Sequence, residues 1–251
     1  MSVVAVAVVL PPMTTDRMTN PVPREVRAAD EAPGTSPGAS PALIAGVDEV
    51  GRGALFGPVV AAAVILSELT SLELQRLGVT DSKRLSPRRR MQLVEPIQTL
   101  ATSYAIGYAS VHEIERLNIL QASLLAMDRA IGRLSPPPTL CLVDGNQPIP
   151  QLTIPQQTVI QGDQTHTGIA AASILAKVWR DQLMVRLDRR YPGYGLANHK
   201  GYGSAEHRQA LQRLGPTRQH RQSFRGCQLT LPLTPSMFDV SQNNPESTPR
   251  R

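Results

Sequence analysis

Short apolar runs of strand length alternate with longer amphipathic stretches along the middle of the chain. Apolar, β-branched runs at Leu43–Val47 and Val59–Leu66 predict two strands joined by a glycine-rich loop. The alternating stretch 103–111 predicts a third strand. The runs 139–145 and 158–163 are short and apolar, and each has an aspartate near its carboxyl end. They predict two buried strands that both end in an acid.

Three stretches have the features of helices. Ser86, with Pro87 next to it, is a typical N-cap, and it predicts a helix that continues through Leu100. Ile119–Leu134 has helical spacing and is stopped by prolines, and Gly168–Leu187 predicts a long helix with a small-residue face. Strands mixed with helices predict an α/β domain in which helices cover a sheet.

The two ends of the chain differ from the middle. Residues 1–41 are rich in Pro, Ala and Thr, and such a composition buries too little apolar surface to offset the entropy of ordering. We therefore predict a disordered extension over 1–41, a catalytic domain over 42–226 and a flexible tail over 227–251. The apolar stretch Val3–Leu10 resembles part of a signal peptide but lacks a preceding basic residue.

Composition narrows the class of protein. The formal net charge is +6, which favours a polyanionic partner without establishing one. Two cysteines are too few for a disulfide framework, so a reducing compartment, the cytoplasm, is expected. No apolar run reaches the roughly 20 residues that a membrane-spanning helix needs. We expect a monomer that does not bind membranes.

Acids stand at the ends of three predicted strands. Asp48 and Glu49 follow the first strand, and Asp144 and Asp163 end the two later ones. Strand ends aim side chains into a crevice, and converging carboxylates form the hard oxygen site that Mg²⁺ or Mn²⁺ prefers. Each acid alone is better explained as a turn cap, as the Asp-Gly pair at 144–145 illustrates. The full set favours a metal site.

Glycines follow the first pair of acids directly. Gly51, Gly53 and Gly57 are compatible with a turn that needs positive φ. They are equally compatible with a loop whose bare backbone approaches a ligand and contacts its hydroxyl groups. The sequence alone leaves both interpretations open.

The second half of the chain supplies cations and aromatic rings. Ser173 and Lys177 lie on one helical face, although Lys177 is also placed for a pair with Asp181. Tyrosines interleaved with glycine and basic residues suit stacking on sugars or bases, as at Tyr202, or packing on the domain. A basic field suited to phosphate contacts follows. Its members are Arg186, Arg189, Arg190, Arg208, Arg213, Arg218, Arg221 and Arg225.

Several motifs together resemble one family. "GVDEVGRG", "DSKRLS", "LVDG", "IAAASILAKVWRD", "HKGYGS" and "HRQSF" occur in the order found in ribonuclease HII, the type 2 ribonuclease H. The resemblance runs from about residue 42 to 224. It implies a ribonuclease H-like mixed central sheet flanked by helices, with a C-terminal helical part. It also implies cleavage of RNA in RNA–DNA hybrids and of ribonucleotides embedded in duplex DNA.

The resemblance also assigns roles to residues. The four acids correspond to the family's metal ligands for two-metal-ion hydrolysis, which leaves 3′-hydroxyl and 5′-phosphate ends. The Gly-Arg-Gly segment corresponds to the sensor of the 2′-hydroxyl, and a tyrosine to the residue that stacks at the RNA–DNA junction. Phosphate contacts are implied for one lysine of "DSK" and two residues of the long helix. The metal ligands are Asp48, Glu49, Asp144 and Asp163, and the 2′-hydroxyl sensor is Gly51, Arg52 and Gly53. The junction tyrosine is Tyr202, and the phosphate contacts are Lys83, Ser173 and Lys177.

Two rival functions remain at this level. A hybrid-binding protein without catalysis would keep the basic surface but lose at least one acid. A junction resolvase of the same fold would keep clustered acids but lack Gly-Arg-Gly and the junction tyrosine. The sequence also departs from the usual motifs of the family at Ala54–Phe56, at Ser204 and at 164–168. These differences affect only fine contacts with the substrate.

One apolar stretch stands out in the polar tail. Gln228–Leu233 resembles the peptide with which bacterial repair and replication proteins dock on the sliding clamp. An extended segment of this kind places apolar side chains in a groove of its partner. The alternative is a segment that folds back over its own domain, and short motifs often match by chance.

Overall fold

The structure is a computed structural model that describes residues 42–228. The predictions for 1–41 and for the tail beyond Gln228 lie outside the described residues. The strands are β1 Ile44–Val50, β2 Val59–Ile65, β3 Ser103–Ala109, β4 Leu140–Asp144 and β5 Gln156–Val159. The helices are α1 Glu68–Arg76, α2 Pro87–Leu100, α3 Val111–Leu117, α4 Ile119–Ile131, α5 Gly162–Thr165, α6 Thr167–Arg190, α7 Leu196–His199 and α8 Ala205–Leu214, with a 3₁₀ turn at Ser82–Arg84.

Within residues 42–228, five strands form one mixed sheet in the order β3-β2-β1-β4-β5. β1 is antiparallel to β2, and β2 is antiparallel to β3. β4 is parallel to β1 on one side and to β5 on the other. Helices cover both faces, which confirms the predicted α/β class and the helical C-terminal part.

β2 lies at the centre of two cores. Its side chains alternate between the faces of the sheet, as the period of two in a strand requires. Val60, Ala62 and Val64 pack with residues of α2 and α6 on one face. Ala61 and Ala63 pack with residues of α4 on the other. All seven residues of β2 are buried, which explains why its sequence is continuously apolar.

Two glycines let helices approach the sheet at backbone distance. A Cβ atom on Gly46 of β1 would lie 2.1 Å from the carbonyl carbon of Gly168 in α6. A Cβ atom on Gly107 of β3 would lie 2.1 Å from the carbonyl oxygen of Ala126 in α4. Any side chain at either position would push the helix away from the sheet.

Most predicted elements are confirmed, with shifted ends. The strand predicted over 103–111 ends at Ala109 because Ser110 caps α3 with a reciprocal capping box. α1 and α3 were not predicted, since they are short. The prediction of a strand over 158–163 is wrong at its end. β5 stops at Val159, and Asp163 lies in the single helical turn α5 rather than at a strand end.

The described part of the chain contains no helix that is long and apolar enough to cross a bilayer. Its two cysteines, Cys141 and Cys227, are buried as free thiols. Cys227 packs into the core beside Leu55, with its Sγ atom 3.5 Å from the Leu55 carbonyl oxygen. The packed region therefore extends at least to this residue.

Candidate functional site

Parallel pairing of β1 with β4 brings the first acids together. The last paired residues of the two strands are Val47 and Val143, and Asp48 and Asp144 follow them in register. The carboxyl ends of parallel strands meet at one edge of the sheet. The Asp144 Oδ1 atom accepts a hydrogen bond of 2.8 Å from the backbone N–H of Gly162, which fixes this carboxylate against α5.

Strand alternation separates the two adjacent acids. Asp48 pairs with Ala62, whose side chain faces α6, and Glu49 pairs with Ala61, whose side chain faces α4. Asp48 is 6% exposed. Glu49 accepts a hydrogen bond of 3.1 Å at Oε1 from Nη1 of Arg52. The pair therefore reaches around the sheet edge from both faces instead of crowding one side.

A cleft of about 410 Å³ opens at this edge. It brings together predicted site residues from β1, the following loop, β4, α6 and the segment after α7. Its lining residues are Asp48, Glu49, Val50, Gly51, Arg52, Gly53, Ser82, Lys83, Asp144, Ser173, Lys177 and Tyr202. Of the residues predicted from the sequence, only Asp163 is missing from this lining.

Asp163 lies beside the cleft and is held by a lysine. Its Oδ2 atom is 3.5 Å from Nζ of Lys83, and its side chain is buried, whereas that of Lys83 is mostly exposed. Among residues 42–228, no three His, Cys, Asp or Glu side chains converge closely enough to hold one ion as they stand. The acids are thus spread around the cleft, and Asp163 is paired with Lys83.

The carboxylates are electrostatically unfavourable without a cation. Burial, with the charges of Glu49 and Asp144, raises the pKa of Asp48 well above its ordinary value, against the opposing effect of the Ser173 hydroxyl. Burial and the charge of Asp144 also raise the pKa of Glu49, although Arg52 acts in the opposite direction. For Asp163, burial with the charges of Asp81 and Asp144 raises the pKa despite Lys83.

This donor set fits a divalent cation. The side chains at the sheet edge offer hard carboxylate oxygens, which are the ligands that Mg²⁺ and Mn²⁺ prefer. Their raised pKa values mean that the nearby Lys83 and Arg52 do not supply enough positive charge. A bound ion would supply the missing charge.

The glycines of the loop between β1 and β2 have different roles. Gly51 and Gly57 have φ of +93° and +80°, a conformation that favours glycine, and a Cβ atom on Gly51 would lie 2.2 Å from Nε of Arg180. Gly53 has neither feature, since a Cβ atom there would meet no atom within 4 Å. The turn explanation therefore holds for Gly51 and Gly57, and Gly53 presents bare backbone to the cleft.

Two buried arginines hold this loop, and sequence reasoning missed both. Arg180 of α6 donates to the carbonyl oxygens of Pro58, Phe56 and Lys200 at 2.8 to 3.1 Å. Arg221 donates to the carbonyls of Arg52 and Gly57.

Placing Arg221 in the exposed basic field was wrong. It is fully buried, and its motif "HRQSF" was the only signal of a special role.

The tyrosines of the second half divide into two groups. Tyr194 is buried and donates a hydrogen bond to the Gly215 carbonyl oxygen, and Tyr191 packs edge-on against Phe56. These two are packing residues, as the alternative interpretation proposed. Tyr202 instead lines the cleft, with Arg180 Cζ and Lys177 Nζ 5.5 Å and 5.6 Å from its ring centre.

Ser173 and Lys177 of α6 form part of the cleft wall. The Ser173 hydroxyl is 2.8 Å from the Ser82 hydroxyl, a residue of "DSK" to which the sequence assigned no role. Lys177 lines the cleft while its Nζ atom lies 2.9 Å from Oδ1 of Asp181. The predicted intrahelical pair is therefore present, and it leaves Lys177 at the cleft wall.

Comparison with known proteins identifies relatives of the chain. The family model described as Ribonuclease HII matches residues 45–227. A protein named Ribonuclease HII from Acaryochloris marina is 69% identical over 188 residues, which cover 75% of this chain and 95% of that protein.

Solved structures agree with this likeness. The ribonuclease H2 of Pyrococcus horikoshii OT3 is similar with a TM-score of 0.62 and 25% identity, covering 73% of this chain and 94% of that one. The PCNA:RNase HII complex from Archaeoglobus fulgidus contains a chain similar with a TM-score of 0.58 and 25% identity, covering 72% and 95%. The mixed sheet with flanking helices is thus the ribonuclease H-like fold that the resemblance implied.

We expect Asp48→Asn to stabilise the metal-free protein, raising its free energy of unfolding by on the order of 1 kcal/mol. A carboxyl whose pKa is raised by folding contributes stability only at low pH. That stability is lost as the pH rises through the folded-state pKa, so at pH 7 the Asp48 charge opposes folding. Urea denaturation with a chelator present measures the change.

The exposed acid Glu73 provides the control, since Glu73→Gln is expected to leave the unfolding free energy unchanged. A clear loss of stability in Asp48→Asn would show that the carboxylate is a structural hydrogen-bonding group.

Proposed function

The chain belongs to the ribonuclease HII family, and on that premise we propose that it cuts duplex DNA on the 5′ side of single embedded ribonucleotides. As a member of this family it is a ribonuclease H, an endonuclease that acts on RNA–DNA hybrids. One observation carries the finer proposal. A single cleft is lined by the acids of the sheet edge, the open backbone at Gly53 and the ring of Tyr202.

Four acids are proposed to hold the metal: Asp48, Glu49, Asp144 and Asp163. Two divalent ions, Mg²⁺ or Mn²⁺, would supply an activated water and stabilise the leaving 3′-oxygen, so that the products carry 3′-hydroxyl and 5′-phosphate ends. The chain's own contribution is to fix the carboxylates. The backbone N–H of Gly162 orients Asp144, and the Ser82–Ser173 pair of hydroxyls lies behind Asp48.

The remaining residues of the cleft recognise the substrate. The backbone of Gly51, Arg52 and Gly53 is proposed to contact the ribose 2′-hydroxyl, the group that distinguishes RNA from DNA. Tyr202 stacks on the deoxyribose that follows the ribonucleotide. Lys83, Lys177 and Ser173 are proposed to contact phosphates.

The non-catalytic alternative has less support. A protein that only binds hybrids has no need for three carboxylates close together at one sheet edge, since the raised pKa values of Asp48 and Glu49 show that their charges oppose folding there. The alternative of a junction resolvase leaves the Gly-Arg-Gly segment and Tyr202 without a role.

The direct test is magnesium-dependent cleavage of a DNA duplex that contains one ribonucleotide, with an all-DNA duplex as the control. We expect a single cut 5′ of the ribonucleotide and none in the control. Asp144→Asn should lower turnover by orders of magnitude, because the amide keeps the acceptor for Gly162 but loses the charge. Cleavage of both duplexes alike, or near-normal rates in Asp144→Asn, would refute the proposal.

Gly53→Ala tests the open backbone. Its Cβ atom meets nothing in the protein, so we expect unchanged thermal stability. Cleavage at the lone ribonucleotide should fall about tenfold or more, since a methyl group would stand where the ribose approaches.

Gly132 offers a matched control. It is exposed at the end of α4 with a φ of −62°, and a Cβ atom there would be 3.4 Å from the nearest atom. Gly132→Ala should leave cleavage unchanged. An equal loss in both variants, or none in Gly53→Ala, would remove Gly53 from the substrate site.

The tail suggests a second interaction. The relative from Archaeoglobus fulgidus was solved as a PCNA:RNase HII complex, which supports sliding-clamp binding in this chain as well. Gln228 is exposed and follows directly on the buried Cys227, so the Gln228–Leu233 segment begins at the surface of the domain. Tethering to a clamp would raise the effective concentration of the nuclease on DNA.

Replacing Gln228, Leu229 and Leu231 together with alanine distinguishes the two explanations of this segment. Clamp docking predicts loss of binding to a bacterial sliding clamp, with unchanged melting temperature and unchanged cleavage of short duplexes. A lower melting temperature, with no clamp binding even by the unmodified protein, would instead show that the segment covers its own domain.

A further inference from the structure

Three histidines pack together behind Tyr202, away from the acids. The rings of His199 and His207 are stacked, with their centres 4.4 Å apart, and Nε2 of His207 is 3.2 Å from Nε2 of His220. His207 and His220 are buried. His207 and His220 line neither the acidic cleft nor the cavity beside it, so direct contact with a metal or substrate does not explain these two; His199 lines the neighbouring cavity together with Lys177 and Tyr202.

The hydrogen bonds of this cluster fix where each proton lies. Nδ1 of His207 is 2.9 Å from the Tyr202 carbonyl oxygen, which can only accept, so this nitrogen carries a proton. Nδ1 of His220 accepts from the Thr217 backbone N–H at 2.9 Å, so it carries none. In neutral rings the remaining proton must lie on Nε2 of His220, and His220 donates to His207.

The result is a directed chain of hydrogen bonds. It runs from the Thr217 N–H through His220 and His207 to the carbonyl of Tyr202. A proton added to either ring would set two N–H groups against each other and break one bond of the chain. Burial keeps both rings neutral, since it lowers the pKa of His220 to about 4, with a contribution from His207, and lowers that of His207 as well.

The same segment of chain also holds the other half of the substrate site. His220 forms an antiparallel bridge with Phe56, and the next residue, Arg221, donates to the carbonyl oxygen of Arg52 at 2.8 Å. The segment 217–221 is thus bonded to the Gly-Arg-Gly loop through Arg221 and to Tyr202 through the two histidines. These contacts add to the direct backbone bridge between Ala54 and Tyr202, and together they fix the distance between the loop and Tyr202.

We propose that His207 and His220 are positioning residues, which act through the Tyr202 carbonyl to hold the Tyr202 ring at a set place relative to the Gly51–Gly53 loop. The inference rests on the proposed role of Tyr202 at the RNA–DNA junction. It assigns the selectivity for that junction in part to two buried side chains that never touch the substrate.

A purely structural role is the competing explanation. His220 also packs against Phe56 and Tyr194, with ring centres 4.8 Å and 4.9 Å away, so removing it would disturb a core in any case. The test must therefore compare a variant that keeps the hydrogen bond to His207 with one that loses it. Gln places an amide N–H near the position of the imidazole Nε2, whereas Asn is too short to reach His207.

The experiment compares His220→Asn with His220→Gln on two substrates, a duplex with one embedded ribonucleotide and a continuous RNA–DNA hybrid. In His220→Asn we expect kcat/KM on the embedded ribonucleotide to fall about tenfold relative to the hybrid, as for the loss of one buried hydrogen bond. His220→Gln should restore the ratio. The exposed His112 serves as a control, and His112→Ala should change nothing.

A double-mutant cycle with Tyr202→Ala shows whether the histidine acts through the tyrosine. In the Tyr202→Ala background, His220→Asn should cause no further change in the ratio of the two substrates. Independent, multiplying losses would overturn the inference. If Tyr202→Ala alone leaves the ratio unchanged, the proposed function of Tyr202 fails. If Tyr202→Ala lowers the ratio but His220→Asn does not, only the proposed positioning role of the histidines fails.

A measurement on the unmodified protein tests the same hydrogen bonds without requiring that any variant folds. Imidazole ¹⁵N NMR at neutral pH distinguishes the two tautomers of each ring. We expect the proton on Nδ1 in His207 and on Nε2 in His220. The opposite tautomer at either residue, or a charged ring, would contradict the directed chain of hydrogen bonds.

Discussion

The contact between Gly46 and Gly168 is the constraint on which the site depends. With no side chain on either residue, the first turn of α6 lies directly against β1 at backbone distance. Because the helix is rigid, this contact also sets the positions of residues further along it. Ser173 then comes beside Asp48, Lys177 reaches the cleft wall, and Arg180 lies under the loop that follows β1. One strand and one helix thus place both the acids and their neighbours.

The buried arginines show how the fold keeps an irregular loop rigid. Arg180 and Arg221 form no ion pair within residues 42–228, and backbone carbonyls satisfy most of their donors. Burial lowers the pKa of Arg180, and burial with the charge of Arg180 lowers that of Arg221 to about 9. Burying two like charges costs free energy. The charge-assisted hydrogen bonds to the carbonyl groups offset part of this cost, and they fix the loop between β1 and β2 to α6 and to the C-terminal segment.

The sequence predicted the parts of this arrangement that depend on local pattern. β1 to β4, α2, α4 and α6 were visible as periodicity. All four acids were expected at strand ends, and three of them lie there. Asp163 was misplaced because β5 ends early, at Val159, and after the turn Ile160–Gln161 the chain enters α5. Arg221 was misread because charge alone predicts exposure. Only the three-dimensional arrangement shows that carbonyl groups from a loop more than 150 residues earlier surround it.

The residues proposed for catalysis and those proposed for selectivity lie on different kinds of structural element. Asp48, Glu49 and Asp144 belong to the ends of regular strands, whose positions hydrogen bonding across the sheet determines. Gly53 and Tyr202 belong to loops, and their relative position depends on the bridge between Ala54 and Tyr202 and on contacts from α6 and the segment 217–221. The groups proposed for chemistry and those proposed for selectivity are therefore supported by different parts of the fold. If the proposed roles hold, a change in the C-terminal segment would alter selectivity for the junction while leaving the carboxylates where the sheet places them.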